Sequence, residues 1–503
     1  MFVEGLPFAL TYALAWSPVV LVVALALGLR RPALDLSVAA LVYTFGLCLW
    51  GFGTPARVLV AAGADGVLTT LPLLLVIAAG VGLSTVCLAK GALQRIVTWY
   101  SGRVAGPWHR TALLTMGLGN FMEGAGVIAE PVLAPMIRAS GLSPTSSAAL
   151  SIVGYSGLMT LALAGIIVTV LAAVTGLPSA TLGAHVAAFS VLPTLLLSLS
   201  VPWLVEGWGA ARRQARLFAA AGLTAALGAW ATAHWVGVPV SAMFGGLAVV
   251  ALLVLPGWRG ITLDRSILRD FAPFLLIIAG LSAVSLHPAL RQATRSAVTW
   301  AVTVVPGHPI ALRPLFDAYT YLFAALALAL VLFPYAPGER GRLLRASLAK
   351  AWRPVVAMAL FGAVGQMIAY SGYAPGFTGV EASRNLASIL AQGTYRYTGS
   401  LYPVFAPLLG WVGTFLTGYG VASIMLFGKF QLAAADLLGL DPSVLASALA
   451  IGASVGSVSS PFKIAIATPL CGAAGQEGEI LRRTVPLGVA VSLALGLWVW
   501  AWG

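Results

Sequence analysis

Residues 119–127 read GNFMEGAGV, and residues 413–421, far downstream, read GTFLTGYGV. Five of the nine positions agree, and each stretch leads through a Leu-x-Pro step, Leu142 to Pro144 and Leu440 to Pro442, into a Gly/Ser-rich apolar segment. Glycine at this density interrupts helices instead of extending them. The chain therefore carries two related interruptions, and their surroundings decide what they are for.

Those surroundings are apolar. The 503 residues are 60% hydrophobic and only 9% charged, with a mean hydropathy of +0.96, whereas soluble domains carry about a quarter charged residues. A bilayer is crossed by roughly 20 apolar residues, and spans are predicted near 7–29, 33–52, 67–89, 146–172, 183–205, 217–236, 239–258, 271–288, 315–334, 354–373, 443–474 (long and interrupted) and 484–502. The first run follows MFVEGLPFAL, with Glu4 where a signal peptide has basic residues and no small-residue cleavage site, and reads as a retained helix. Cys48, Cys87 and Cys471 lack CxxC or Cys/His spacing, so neither disulfides nor a metal is expected.

The formal charge of +13 comes from short basic clusters between apolar segments, the positive-inside pattern, and not from a nucleic-acid-binding face. With the first helix starting outside, Arg30, Arg31, Lys90, Arg95, Arg103 and Arg110 lie inside, as do Arg212, Arg213 and Arg216. Three apolar stretches separate Arg110 from Arg212, so one must enter and leave on the same side. The Gly- and Pro-rich 111–137 is the candidate, a re-entrant hairpin. The same parity makes 405–438 a second hairpin, entering from the opposite face. Of 28 Lys and Arg, six (Arg57, Arg291, Arg295, Arg313, Arg384 and Arg396) then fall outside, Lys429 and Lys463 fall within membrane segments, and the remaining 20 are inside. The expected fold is an all-α polytopic membrane protein of about 12 spans plus two hairpins in an inverted repeat: a single membrane domain over 1–503, with one repeat at 67–205 and the other at 354–502. Interrupted helices in two inverted halves mark a midplane substrate site in secondary transporters.

The stretch GNFMEGAGVIAEP, Gly119 to Pro131, resembles the first signature of the lactate permease family, and Gly410 to Gly418, GWVGTFLTG, resembles its second. A third likeness runs through Gly456 to Pro461 and Ile464 to Ala467. Segment order is similar from about Ala64 to the C-terminus, with 175–350 matched mainly by hydropathy. The resemblance implies a secondary transporter of a small organic anion, such as lactate or glycolate, in the bacterial inner membrane. It also implies an elevator-type architecture, a proton (or sodium) as coupling ion, membrane lipid as surroundings, no cofactor, and a homodimer. Departures from the family cluster where substrate should bind. Tyr419 to Ser423 replaces a Ser-Asp pattern, Ser457 stands where the family carries a lysine, Lys463 appears instead, and Glu130 stands where the family is small and apolar; Glu123 matches the family's glutamate.

Glu123 and Glu130 are seven residues apart, which on one continuous helix would place both carboxylates on one face. Burial disfavours the charged form of a carboxylate, so Glu123 is expected to couple protons, with Glu130 a second proton site or the partner of Lys463. Lys463 follows the Ser459-Ser460-Pro461 break, where a helix N-terminus adds positive potential for an anion. Asn120, Gly124, Thr417, Gly418, Tyr419, Ser454, Ser459 and Ser460 are the expected substrate-binding surroundings. Against this stands the reading in which Lys463 snorkels to the interface. Lys429 and Asp436 read as interfacial charges at one end of the second hairpin.

Two rival classes carry less. Gly154-Tyr-Ser-Gly157 has the Gly-x-Ser-Gly form of rhomboid-type proteases but lacks a histidine in a matching glycine-rich setting, and neither a Walker loop nor HExxH occurs. A channel would also use broken hairpins, but hairpins with different polar residues suit alternating access better. No enzymatic activity is expected.

The parity argument predicts both termini outside and the loops at Arg95 and Arg345 inside. Cysteines placed there should resist an impermeant maleimide applied from outside; strong labelling beside Arg345 would overturn the topology.

Overall fold

A computed structural model of the chain describes residues 5–28, 31–257 and 264–502. Glu4 and Arg30, used in the reading above, lie outside them. The chain opens with α1 (Phe8–Gly28), α2 (Ala33–Gly46, prolonged by a π-helical turn), the long α3 (Ala56–Ala89) and the short α4 (Ala92–Ser101). Next, α5 (Pro107–Ala112) runs through a π-helical stretch into α6 (Gly119–Gly124), a non-helical segment follows at 125–129, and α7 (Glu130–Ala139) resumes. Then α8 (Pro144–Ser156) gives way to two 3-10 turns before α9 (Ile166–Thr175). The middle comprises α10 (Ser179–Phe189), α11 (Val191–Glu206), α12 (Trp208–Trp235), α13 (Val238–Val254) and α14 (Arg265–Leu286). Beyond it lie α15 (Pro288–Ala297), a two-stranded antiparallel hairpin of β1 (Trp300–Val302) and β2 (Ile310–Leu312), α16 (Ala318–Leu332) and α17 (Glu339–Ala369). The last series is α18 (Leu386–Thr398), α19 (Tyr402–Thr417), α20 (Gly420–Leu438), α21 (Pro442–Gly456), α22 (Pro461–Cys471) and α23 (Glu477–Trp502).

Among the described residues, 12 helical segments are long and apolar enough to span a membrane. The number matches the sequence expectation, but the membership differs. The predicted span 146–172 is broken at 157–165, and α16 has only 15 residues; Leu386–Thr417 and Gly420–Leu438 qualify in their place. The β-hairpin was not expected in an all-α chain. Its β-branched run around Pro306-Gly-His-Pro309 is strand-turn-strand chemistry.

Local sequence explains where helices restart. Proline, whose missing N–H is harmless in a first turn, opens α5, α8, α21 and α22. The residue before it caps three of them: Ser143 Oγ accepts from Ser146 N at 3.1 Å, Asp441 Oδ1 from Ser443 N at 2.8 Å, and Ser460 Oγ from Lys463 N at 3.5 Å. The Leu-x-Pro steps are thus helix starts. In the break after α8, Leu163 and Ala164 adopt φ of 52° and 54°, left-handed backbone that costs a non-glycine residue on the order of 1–3 kcal/mol and persists only where surroundings enforce it.

Packing relies on small residues, as membrane helices require. A Cβ on Gly66 would lie 2.1 Å from the Gly362 carbonyl oxygen and one on Gly362 would lie 2.6 Å from that of Gly66, so α3 and α17 cross backbone to backbone. At α19 and α21, a Cβ on Gly452 would meet Pro407 O at 1.9 Å. Two of the basic residues assigned to the inner face find acids: Lys90 Nζ lies 2.5 Å from Glu339 Oε1, and Arg95 grips the wholly buried Asp270 with bonds of 2.6 and 2.7 Å.

Gly66→Leu should therefore lower the melting temperature of purified protein, overpacking costing about 1–3 kcal/mol or more. Gly341→Ala, whose Cβ would meet nothing within 4 Å, should melt with the parent. A Gly66→Leu variant as stable as the parent would show that the crossing can spread freely.

Candidate functional site

Three interrupted elements converge on one buried ammonium. Glu130 is the first residue of α7, Tyr155 lies at the end of α8, and Lys463 sits in the first turn of α22. Lys463 Nζ donates to the Tyr155 hydroxyl at 2.9 Å, lies 3.6 Å from Glu130 Oε1 and 3.8 Å from Met159 Sδ, and stands 4.8 Å from the Tyr155 ring centroid. The Tyr155 hydroxyl in turn donates to Glu130 Oε1. Glu130, Tyr155 and Lys463 are 2%, 1% and 7% exposed, so the cluster is closed to solvent in this conformation. The second carboxylate oxygen, Glu130 Oε2, is buried without a partner among the described residues.

Glu123, also buried, accepts the Ala129 backbone N–H on Oε1 at 2.8 Å. The expectation that Glu123 and Glu130 share one helix face is corrected here. The helix ends at Gly124, Gly126 takes φ of 78°, and α7 starts afresh at Glu130, so a spacing of seven is not two turns. The two acids nonetheless remain within electrostatic reach of each other and of Lys463.

Most of the other expected residues surround this cluster but use their polar atoms on the backbone. Ser454 Oγ donates to Ser156 O at 2.7 Å and accepts from Thr160 N at 3.0 Å, while Thr160 Oγ1 donates to Ala450 O at 2.8 Å; α21 thereby satisfies groups freed by the break after α8. Ser459 Oγ accepts from Trp411 Nε1 at 2.9 Å, and Ser460 caps α22. Thr417 Oγ1 donates to Gly413 O at 2.7 Å in the last turn of α19 and accepts from Tyr419 N at 3.3 Å in the turn that joins α19 to α20. Gly418 takes φ of 82° in that turn, and Tyr419 packs its ring 5.2 Å from that of Phe462, on α22. Asn120 Nδ2 donates to Met116 O at 2.7 Å. Gly124 lets α6 approach α13, a Cβ there meeting Met243 N at 2.5 Å. Lys429 is not at the end of its hairpin: it lies midway along α20, half-buried, within electrostatic reach of Asp65.

Sequence reasoning missed Tyr155 and Met159; the hydroxyls of Thr414 and Ser457 are buried without a partner among the described residues. Tyr155 sits inside the Gly-x-Ser-Gly tetrapeptide, so the signal was present and attached to the wrong residue: Ser156 Oγ merely donates to Ile152 O at 2.7 Å in its own helix.

The L-lactate permease family profile matches residues 11–502. The L-lactate permease of Salmonella typhimurium is 25% identical over 509 residues, covering 94% of this chain and 88% of that protein. Glycolate permease GlcA of Escherichia coli K12 is 24% identical over 506 residues, covering 88% and 87% respectively. Among solved structures, the YdaH transporter of Alcanivorax borkumensis superposes with a TM-score of 0.46 at 14% identity, covering 88% of this chain and 87% of that one. With a family match that runs almost end to end over a bundle of membrane-spanning helices, the chain belongs to the L-lactate permease family and is a multi-pass membrane permease, not an enzyme.

Proposed function

We propose that this chain carries out secondary active transport of a small organic anion, a monocarboxylate or 2-hydroxycarboxylate such as lactate or glycolate, across the bacterial inner membrane in symport with a proton. The observation that carries this reading is the closed Lys463–Tyr155–Glu130 cluster at the meeting of three broken helices. Names of the relatives support the substrate class. The two units, 67–205 with its hairpin at 111–137 and 354–502 with its hairpin at 405–438, are read as inverted repeats whose hairpin tips are re-entrant. They move elevator-fashion against a fixed scaffold, in a homodimer.

Charge balance supports coupling. The Glu130–Lys463 pair is neutral, and a substrate carboxylate that claims Lys463 would leave Glu130 as an uncompensated buried charge. Breaking such a pair costs about 3–5 kcal/mol. A proton arriving at the two acids removes that cost, so proton and anion favour each other's binding by roughly a hundredfold or more. One proton per monovalent anion keeps the closed site neutral. Glu130 Oε2, Thr414 and Ser457 supply free polar atoms for a substrate carboxylate and a 2-hydroxyl, while Ser454 and Ser460 hold backbone groups and Ser459 holds the Trp411 indole. Glu123 completes the proton site.

Two outcomes test this. In proteoliposomes, Glu123→Gln should abolish accumulation driven by a pH gradient while partly sparing counterflow exchange. Full accumulation in that variant would exclude Glu123, and a sodium requirement without pH dependence would move coupling to backbone carbonyls at the breaks. Separately, Lys463→Ala should weaken binding of lactate or glycolate by about tenfold or more, as expected for loss of a charge-assisted hydrogen bond, whereas Lys429→Ala should bind like the parent and Glu130→Gln should bind as well or better. Equal small losses in both lysine variants would leave the anion to helix N-termini and hydroxyls.

A further inference from the structure

A second buried cluster, far from Lys463 in the chain and outside the mechanism above, joins three elements and a loop. Asp65 on α3 is wholly buried, and its carboxylate accepts from Gln366 Nε2 on α17 at 3.0 Å. His308, in the loop between β1 and β2, places Nδ1 3.0 Å from Asp65 Oδ1 and 2.9 Å from Oδ2. Its other nitrogen, Nε2, lies 2.9 Å from the carbonyl oxygen of Ala173, near the end of α9. Both partners accept hydrogen bonds, one a carboxylate and one a peptide carbonyl. A neutral imidazole has a single N–H and can serve only one of them. The imidazolium serves both.

We propose that His308 and Asp65 form a proton-binding latch on the outer face, in which the doubly bonded imidazolium ties the end of α9 to α3 and α17. The latch matters because α9 is the second half of the broken helix whose first half, α8, carries Tyr155 and whose break contains Met159 and Thr160. Held to Asp65, that half-helix stays against the long helices; released, it is free to move with the Lys463 site. A cavity of about 330 Å³ already separates the two sides, lined by Thr69 and Pro72 of α3, Thr169 and Ala172 of α9, and His308. Every group predicted to lie outside that touches this region, including the loop of His308 and the ends of α9 and α17, is consistent with access from the outer solution.

Among the described residues, Lys429 on α20 and Tyr370 at the end of α17 also lie within electrostatic reach, and α9 contributes no ionisable group. The hydrogen bond to Asp65 holds the imidazole's pKa above its ordinary value, opposed by partial burial and by Lys429. A raised pKa means that the latch is complete at low external pH and is lost as pH rises through it. The inference rests on α9 moving relative to α3, and not on proton coupling at Glu123.

The test is labelling of Ala172→Cys by an impermeant maleimide in intact vesicles across about pH 5 to 8, divided by labelling of Thr378→Cys, an exposed reference that cancels the pH dependence of the thiol. The native cysteines are buried. The ratio should rise about tenfold with pH, as expected for loss of one charge-assisted hydrogen bond. It should be flat with pH in His308→Gln, and Asp65→Asn should move the midpoint to lower pH by removing the charge that favours the imidazolium. An unchanged rise in His308→Gln, a flat ratio in the parent, or an unmoved midpoint in Asp65→Asn would overturn the latch. None of these readouts needs substrate or a proton gradient, so they stand or fall apart from transport coupling.

Discussion

Hydrocarbon offers no water to a freed peptide group, and each one left unpaired there costs several kcal/mol. Everything notable about this chain follows from having four interruptions, at 125–129, 157–165, 418–419 and 457–460, in buried helices. Each is satisfied by a specific side chain. Glu123 takes the Ala129 N–H, Ser84 Oγ takes the Ile128 N–H at 3.1 Å, Ser454 bridges the break after α8, Thr417 closes the α19–α20 turn, and Ser460 caps α22. The hydroxyls that look like substrate ligands are therefore mostly committed to keeping the helices broken. What is left over, the Lys463 cluster and a few unpaired oxygens, has room for chemistry.

Buried ion pairs are weak evidence for stability, because desolvation offsets most of the attraction. Their distribution says more. Helices α3 and α17 are clamped near one end by Lys90–Glu339 and near the other by Asp65–Gln366, with the Gly66–Gly362 crossing beside the latter. Two long helices joined backbone to backbone and pinned at both ends make a stiff pair. The elements around the breaks also cross on glycine, as at Gly452 against Pro407 and Gly80 against Gly126, but their charged contact is the side-chain cluster of Tyr155, Lys463 and Glu130, which can exchange partners.

The solvent, the approximate span count and three of the four places where buried helices stop were legible in the residues, because composition and Gly/Pro punctuation act locally. Glu130 as the possible partner of Lys463 was also within reach, as one of two options for a buried acid. Span membership was harder. Apolar runs at 146–172 and 315–334 look the same whether they face lipid or pack as broken or short helices inside protein, and local hydropathy does not distinguish these.

What the sequence determined by itself is a membrane-embedded chain with two related glycine-rich breaks and few charges to work with, since burying more would cost too much. What only the tertiary structure decided is which charges meet. Tyr155 and Lys463 lie 308 positions apart, and Asp65 and His308 lie 243 apart. No local periodicity links such residues. They are brought together by helix crossings whose angles and depths depend on every backbone contact in the bundle, and the same crossings give Ser454 and Ser459 their partners, Ser156 with Thr160 and Trp411.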